Sequence, residues 1–225
     1  MPIRTGLDER LTAVKTNLGD YFQRVYEMYA DAVNGIIQLD RSSHTEIKEE
    51  RNRALERNWE LSNDLLLIIA INQPLMEDLR IVSTYLRAAD TIERLARHAR
   101  DISKSTKKLS KDKSMVDKIP SGIATLLNEI WKVFSDLFLI ISRCMVESKE
   151  LPQEKIRELW HNIEDIHHKS NEKLSEISRE DLGDRSNLFE FTNVFNRIER
   201  SGYNLTRLAD LWHFALHNEN IRLER

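Results

Sequence analysis

The sequence predicts an all-α protein: six long helices forming two repeated antiparallel three-helix bundles. Three observations lead there. Apolar residues recur at steps of three and four along most of the chain, the period of one face of a helix. Four prolines and six glycines in 225 residues leave few places where a helix can break. The longest polar stretch, 103–118, lies at the midpoint and separates two similar halves, 1–112 and 113–225.

The elements follow in order. Leu11, Val14, Leu18, Tyr21, Phe22, Val25, Met28, Tyr29, Ala32 and Ile36 place a first helix over Leu7 to about Leu39. The turn-like Asp40–His44 follows, with Ser43 as N-cap and Glu46 completing a capping box for a second helix that runs to Asn72. Pro74 disfavours helix at Gln73 and suits the first turn of a third helix. That helix carries two apolar stripes, one through Leu75, Leu79, Val82, Leu86, Ala89 and Ala96, the other through Ile81, Tyr85, Ala88, Ile92, Leu95, Ala99 and Ile102. A helix apolar over half its circumference touches two neighbours, so it is expected at the centre of the bundle. The third helix is expected to extend to about Lys107, with Ser103–Lys118 as its fraying end and a solvated connector rather than a basic contact patch.

In the second half, a fourth helix is expected over Ser121–Lys149 and a fifth from Pro152 to about Ser178. The turn Asp181–Ser186 precedes a sixth helix over Asn187–His217. Trp59, Trp131, Trp160 and Trp212 read as core anchors, and Cys144, in the apolar setting LIISRCMV, as core packing.

Composition excludes several functions. The net charge of −3 and the lack of a basic stripe with interleaved aromatics argue against nucleic acid as a partner. A single cysteine allows neither an internal disulfide nor a Cys-based zinc site. The N-terminus lacks the apolar stretch of a signal peptide. The apolar runs Leu65–Ile71 and Leu137–Ile141 are far shorter than the ~20 residues of a membrane span, so a cytoplasmic protein without direct membrane insertion is expected. No Gly-rich phosphate loop, GxSxG, HExxH or Cys/His pairing is present, and the chain reads as no enzyme.

The third and sixth helices share a motif. Asp90-Thr-Ile-Glu93-Arg94 has its counterpart in Asn196-Arg-Ile-Glu199-Arg200, within a similar apolar frame. Upstream, the third helix is introduced by Gln73-Pro74-Leu-Met-Glu-Asp78-Leu79-Arg80. At these residues the sequence resembles the PhoU family of phosphate-uptake regulators, whose segment of the kind QPxxxDLR…DxERIGDHxxNI occurs twice in weakened form. The signature residues are thus Gln73, Pro74, Asp78, Leu79, Arg80, Asp90, Glu93 and Arg94, with Glu199 and Arg200 in the second half, which also keeps Gly202.

The resemblance implies two packed three-helix bundles and a non-enzymatic regulator that restrains phosphate transport or phosphate-responsive signalling by protein–protein contact. It implies a transporter component such as the ATPase subunit, or a phosphate-sensing signalling protein, as partner, and a homo-oligomer. It also implies metal ions held by carboxylates four residues apart, because acids at i and i+4 share a face and oxygen ligands suit hard cations. Here Asp90, Glu93 and Glu199 are the metal candidates. The second acid of each pair is missing, however: Arg97 follows Glu93 and Tyr203 follows Glu199. No cofactor is therefore expected, and a guanidinium in place of the metal charge is the reading. Glu93–Arg97 and Arg97–Asp101 are expected as i,i+4 pairs. His167 and His168 with Glu164, and His213 with His217, read as boundary or helix-end residues rather than ligand sets. Three alternatives stay open: a metal-binding helical protein, an accessory module of another ion transporter, and a DNA-binding transcriptional regulator.

Overall fold

The computed structural model describes residues 6–112, 119–177 and 184–225. Six α-helices account for the regular structure among them: α1 (Leu7–Gln38), α2 (His44–Asn72), α3 (Met76–Leu109), α4 (Ser121–Val146), α5 (Gln153–Glu176) and α6 (Arg185–His217). In each half the helices pack on one another in antiparallel succession. The halves then meet through α3 against α6, the most extensive contact in the molecule, and through α1 against α4. One continuous hydrophobic cluster results, running from Leu7 to Leu223.

The apolar stripe expected on α1 is buried throughout. Its helix stops at a left-handed Leu39, where the Asp40 N–H returns to the Gly35 carbonyl at 2.9 Å. Gly35 is small for a reason: a Cβ there would lie 2.9 Å from the Asp40 carbonyl oxygen. The capping box expected for α2 does not form. Ser43 is already in the helical region and makes no side-chain cap, and the turn is closed one residue earlier by Ser42, whose N–H and hydroxyl both donate to Asp40.

Pro74 does not open α3. It lies buried in the turn, and α3 starts at Met76. Gln73, kept from the right-handed helical region by the proline, takes a left-handed conformation and caps α2 through its N–H to the Ile69 carbonyl at 3.2 Å. Of the two α3 stripes, the second is almost wholly buried. The first is not: Val82, Ala89 and Ala96 are inside, while Leu75 and Leu79 face solvent because no helix covers that end.

The start of the polar midsegment is ordered helix, contrary to the expected frayed end. Ser103, Ser105, Thr106 and Leu109 are buried on α3, since the helix continues against α6. Residues 113–118 of the expected connector, 178 at the expected end of the fifth helix and 181–183 of the expected turn lie outside the described residues, and 185–186 of that turn belong to α6 instead. After them Asp184 caps α6, accepting from the Ser186 N–H at 2.9 Å. The tryptophans divide. Trp160 and Trp212 are buried, Trp131 is half-buried beside the Tyr26 and Tyr29 rings, and Trp59 is 60% exposed, so it anchors no core. Cys144 is buried as expected, with Sγ directed to the Glu150 carbonyl and burial pushing the thiol up. No helix among the described residues is long and apolar enough to cross a membrane.

Candidate functional site

The polar ladder of α3 faces α2 and α6. Glu93 is its centre: only 7% exposed, it is held by two guanidinium groups. Arg51 of α2 donates to Oε1 at 2.9 Å, and Arg97, one turn along α3, donates to Oε2 at 2.7 Å. Both oxygens therefore carry a charge-assisted bond, and a cation would have to displace them. Asp90, one turn earlier and exposed, accepts weakly from Asn58 Nδ2 at 3.4 Å. Asp101 pairs with Arg100 at 2.8 Å and, across the seam, with Arg197 of α6 at 3.3 Å. The expected Arg97–Asp101 pair is not formed, because Arg97 turns back to Glu93. Arg51 is the residue missed from sequence. It stood in a run of charge, 46–60, that offered no mark of which member would point inward.

In the second half the same register gives a different site. Glu199 is partly buried and makes no ion pair among the described residues. Burial pushes its carboxyl above the ordinary range, with His167 and Arg200 opposing that shift and Glu164 adding to it. Where the first half has Arg97, the second has Tyr203, whose ring packs on Trp160 of α5 with centroids 5.8 Å apart. Gly202 lets α5 approach: a Cβ there would meet Ile163 Cδ1 at 2.9 Å. His167 Nε2 donates to Asn196 Oδ1 at 2.8 Å. His168 lies near Glu172 at 3.5 Å, and the expected neighbour Glu164 is taken by His161 at 3.2 Å. His217 reaches Glu150 at 2.7 Å, and His213 reaches Gln153 at 3.3 Å.

The seam between the halves is polar at intervals. Arg80 reaches the Ala215 carbonyl near the end of α6 at 3.0 Å, an arrangement that the helix dipole favours. The Ser201 hydroxyl donates to the Arg197 carbonyl at 2.7 Å and accepts from Tyr29 at 3.0 Å. His98 Nδ1, 2.8 Å from the same oxygen, is then the N–H donor of a neutral ring. Burial, with Arg197, Arg97 and Arg200 nearby and only Asp101 opposing, holds the His98 pKa down to about 4. At the far end, Glu190 accepts from Ser105 at 2.7 Å and from Lys108 at 2.6 Å.

The remaining signature residues are spread. Gln73 and Leu79 are exposed in the corner between α2 and α3, with Pro74 buried and Asp78 half-buried beside them. Arg94 and Arg200 point to solvent. Among the described residues, no group of three or more His, Cys, Asp and Glu is arranged to hold a metal ion. The carboxylate pairs that suit a hard cation are absent at both registers, so neither site fits one as it stands.

Two three-helix units, with the Ile and Glu of an Ile-Glu-Arg motif turned inward and its Arg turned to solvent on the third helix of each, define a PhoU-like all-α protein. Residues 18–106 match the family model for the PhoU domain. The crystal structure of PhoU from Pseudomonas aeruginosa superposes with a TM-score of 0.84, covering 94% of this chain and 99% of that one at 16% identity. The phosphate transport system regulatory protein PhoU from Streptococcus pneumoniae gives a TM-score of 0.75 at 14% identity, covering 96% and 99%. In sequence, the chain is 25% identical over 168 residues to a phosphate-specific transport system accessory protein PhoU homolog of Clostridium acetobutylicum, covering 73% of each. A second such homolog, from Methanothermobacter thermautotrophicus, is 27% identical over 89 residues, covering 40% of this chain and 41% of that protein.

Proposed function

We propose that this protein is an accessory regulator of phosphate transport that restrains its partner by stoichiometric contact in the cytoplasm. The observation that carries this reading is the fold, which matches PhoU structures over nearly the whole chain, together with relatives whose names place them in the phosphate-specific transport system. The partner is a transporter component such as the ATPase subunit, or a phosphate-sensing signalling protein, and binding shifts its conformational equilibrium. Deleting the gene raises phosphate uptake or phosphate-responsive expression under phosphate-replete growth. Unchanged uptake and expression in the deletion strain would overturn the reading.

The Glu93 geometry supports a second element of the proposal. Arg51 and Arg97 supply the positive charge that a metal would otherwise bring to this carboxylate, so the protein works without a resident metal. Protein purified without chelator is expected to carry no stoichiometric iron, zinc or manganese; finding any of them at one per chain would sink this element.

A further inference from the structure

Leu66, Leu67, Ile71, Leu75, Met76 and Leu79, most of the large exposed apolar side chains among the described residues, lie on the end of α2, the turn after it and the start of α3. The run 65–71 divides its residues: Leu65 and Ile68 enter the core, while Leu66, Leu67 and Ile71 face outward. Across the turn, Leu75 is 73% exposed and Met76 84%, and Leu79 continues the surface on α3. Six large apolar side chains exposed within residues 66–79, in a chain with 32% charged residues, point to a contact surface rather than incidental exposure.

The corner opens into a groove between α1 and α2. Its apolar end, about 360 Å³, is lined by Ala13, Val14, Leu67, Ile68 and Ile71, with Arg10 at the edge. A second depression of about 330 Å³ shares Asn17 and Asp64 with the first and runs on to Asp20, Arg57 and Glu60. The groove thus changes from apolar to acidic along its length. Asp20, Glu60 and Asp64 make no ion pair among the described residues, and with Arg57 as the one cation beside them the depression is lined by a net excess of acid. Glu77, exposed on the first turn of α3, adds to the acidic side of the corner.

We propose that this groove docks a segment of a partner protein in which apolar side chains are followed by lysine or arginine. The apolar residues seat on Leu67 and Ile71, and the basic ones meet Asp64, Glu60 and Asp20. Charge complementarity selects this occupant. An anionic lipid surface offers apolar contact but is repelled by the carboxylates. A second copy related by a two-fold axis brings the same acids against one another. The cytoplasmic loops of membrane transporters are rich in lysine and arginine beside apolar segments, which is the composition the groove fits. The inference rests on the regulatory reading above and specifies the chemistry of its contact.

A fluorescently labelled amphipathic Leu/Lys peptide and its Leu/Glu counterpart test it by anisotropy on the whole protein. The Leu/Lys peptide is expected to bind the wild type and the Leu/Glu peptide not. The double variant E60K/D64K weakens the Leu/Lys peptide at least about tenfold and gains the Leu/Glu peptide. I71D weakens the Leu/Lys peptide comparably. These positions are exposed, so helical content and melting temperature by circular dichroism stay at wild-type values, which separates lost docking from lost folding. Equal affinity for the two peptides, no binding of either, or binding indifferent to E60K/D64K overturns the proposal. So does co-sedimentation with phosphatidylglycerol vesicles without peptide binding, or a wild-type dimer that I71D dissociates without peptide binding. The two readings fail separately. Absence of any phosphate phenotype on deletion removes the regulatory reading and leaves the groove's preference for basic peptides, whereas failure of the peptide assay leaves the deletion result untouched.

Discussion

Glu93 and Glu199 occupy the same register of repeated helices and are treated in opposite ways. Glu93 is buried and gripped by Arg51 and Arg97. Glu199 is half-buried with no guanidinium at salt-bridge distance among the described residues, and its neighbours along the helix are Gly202 and Tyr203, packed on Ile163 and Trp160. One half neutralises its motif carboxylate with tethered charge. The other leaves the equivalent carboxylate partly desolvated near His167, Arg200 and Glu164, with close apolar packing one turn further on. The repeat keeps the helix and the inward turn of the motif's Ile and Glu, and leaves the chemistry to the residue one turn later and to the facing helix.

The largest expected effect is the loss of the clamped carboxylate. Glu93→Ala leaves the part-buried Arg51 guanidinium unpaired and should cost about 3 kcal/mol in urea unfolding. Glu199→Ala removes a carboxylate that has no ion-pair partner and should change stability by about 0.5 kcal/mol or less. Equal losses at the two positions would erase the contrast between the halves.

The next effect concerns pH. His98 has Asn204 as its counterpart in the second half, so only one member of this pair titrates. The folded protein holds the His98 pKa down at about 4 against the ordinary 6.5, and therefore binds fewer protons than the unfolded chain between these values. The stability from neutral His98 is fully present above about pH 6.5 and is lost as pH falls toward 4, a change on the order of 2 kcal/mol. His98→Asn should flatten that part of the stability–pH curve, measured by chemical unfolding across the window.

Smaller effects separate the residues that follow the two glutamates. Tyr203→Ala gives up the ring contact with Trp160 and should cost about 1 kcal/mol in thermal unfolding. Arg97→Ala should cost less, about 0.5 kcal/mol, because Arg97 is half-exposed and Arg51 still holds Glu93. Salt distinguishes them further: 1 M NaCl should shrink the Arg97 effect and spare that of Tyr203.

Much of this was legible in the chain. The α1 stripe, the burial of Tyr85, Ile92 and Ile102, and the repetition of Ile-Glu-Arg all follow from helical periodicity, which is a local property. The resemblance to PhoU rested on Gln73–Arg80 and Asp90–Arg94, and the comparisons agree with it. What was missed has a common cause. Leu75 and Leu79 were expected inside and lie outside, since periodicity shows that a face is apolar and not whether a helix covers it. Trp59 is exposed for the same reason. Ser103–Leu109 looked like a frayed end because it is polar, yet Ser105 and Lys108 are held by Glu190, 82 to 85 residues away in sequence.

The amino-acid sequence by itself determined six helices, their approximate limits and the shared register of the two motif glutamates, because backbone hydrogen bonding and side-chain spacing act within a few residues of one another. Tertiary structure alone decided that Arg51 completes the Glu93 clamp, that Trp160 backs Tyr203, and that the corner between α2 and α3 stays uncovered. Each of these depends on which helix comes to lie opposite, and that is set by packing across the whole core.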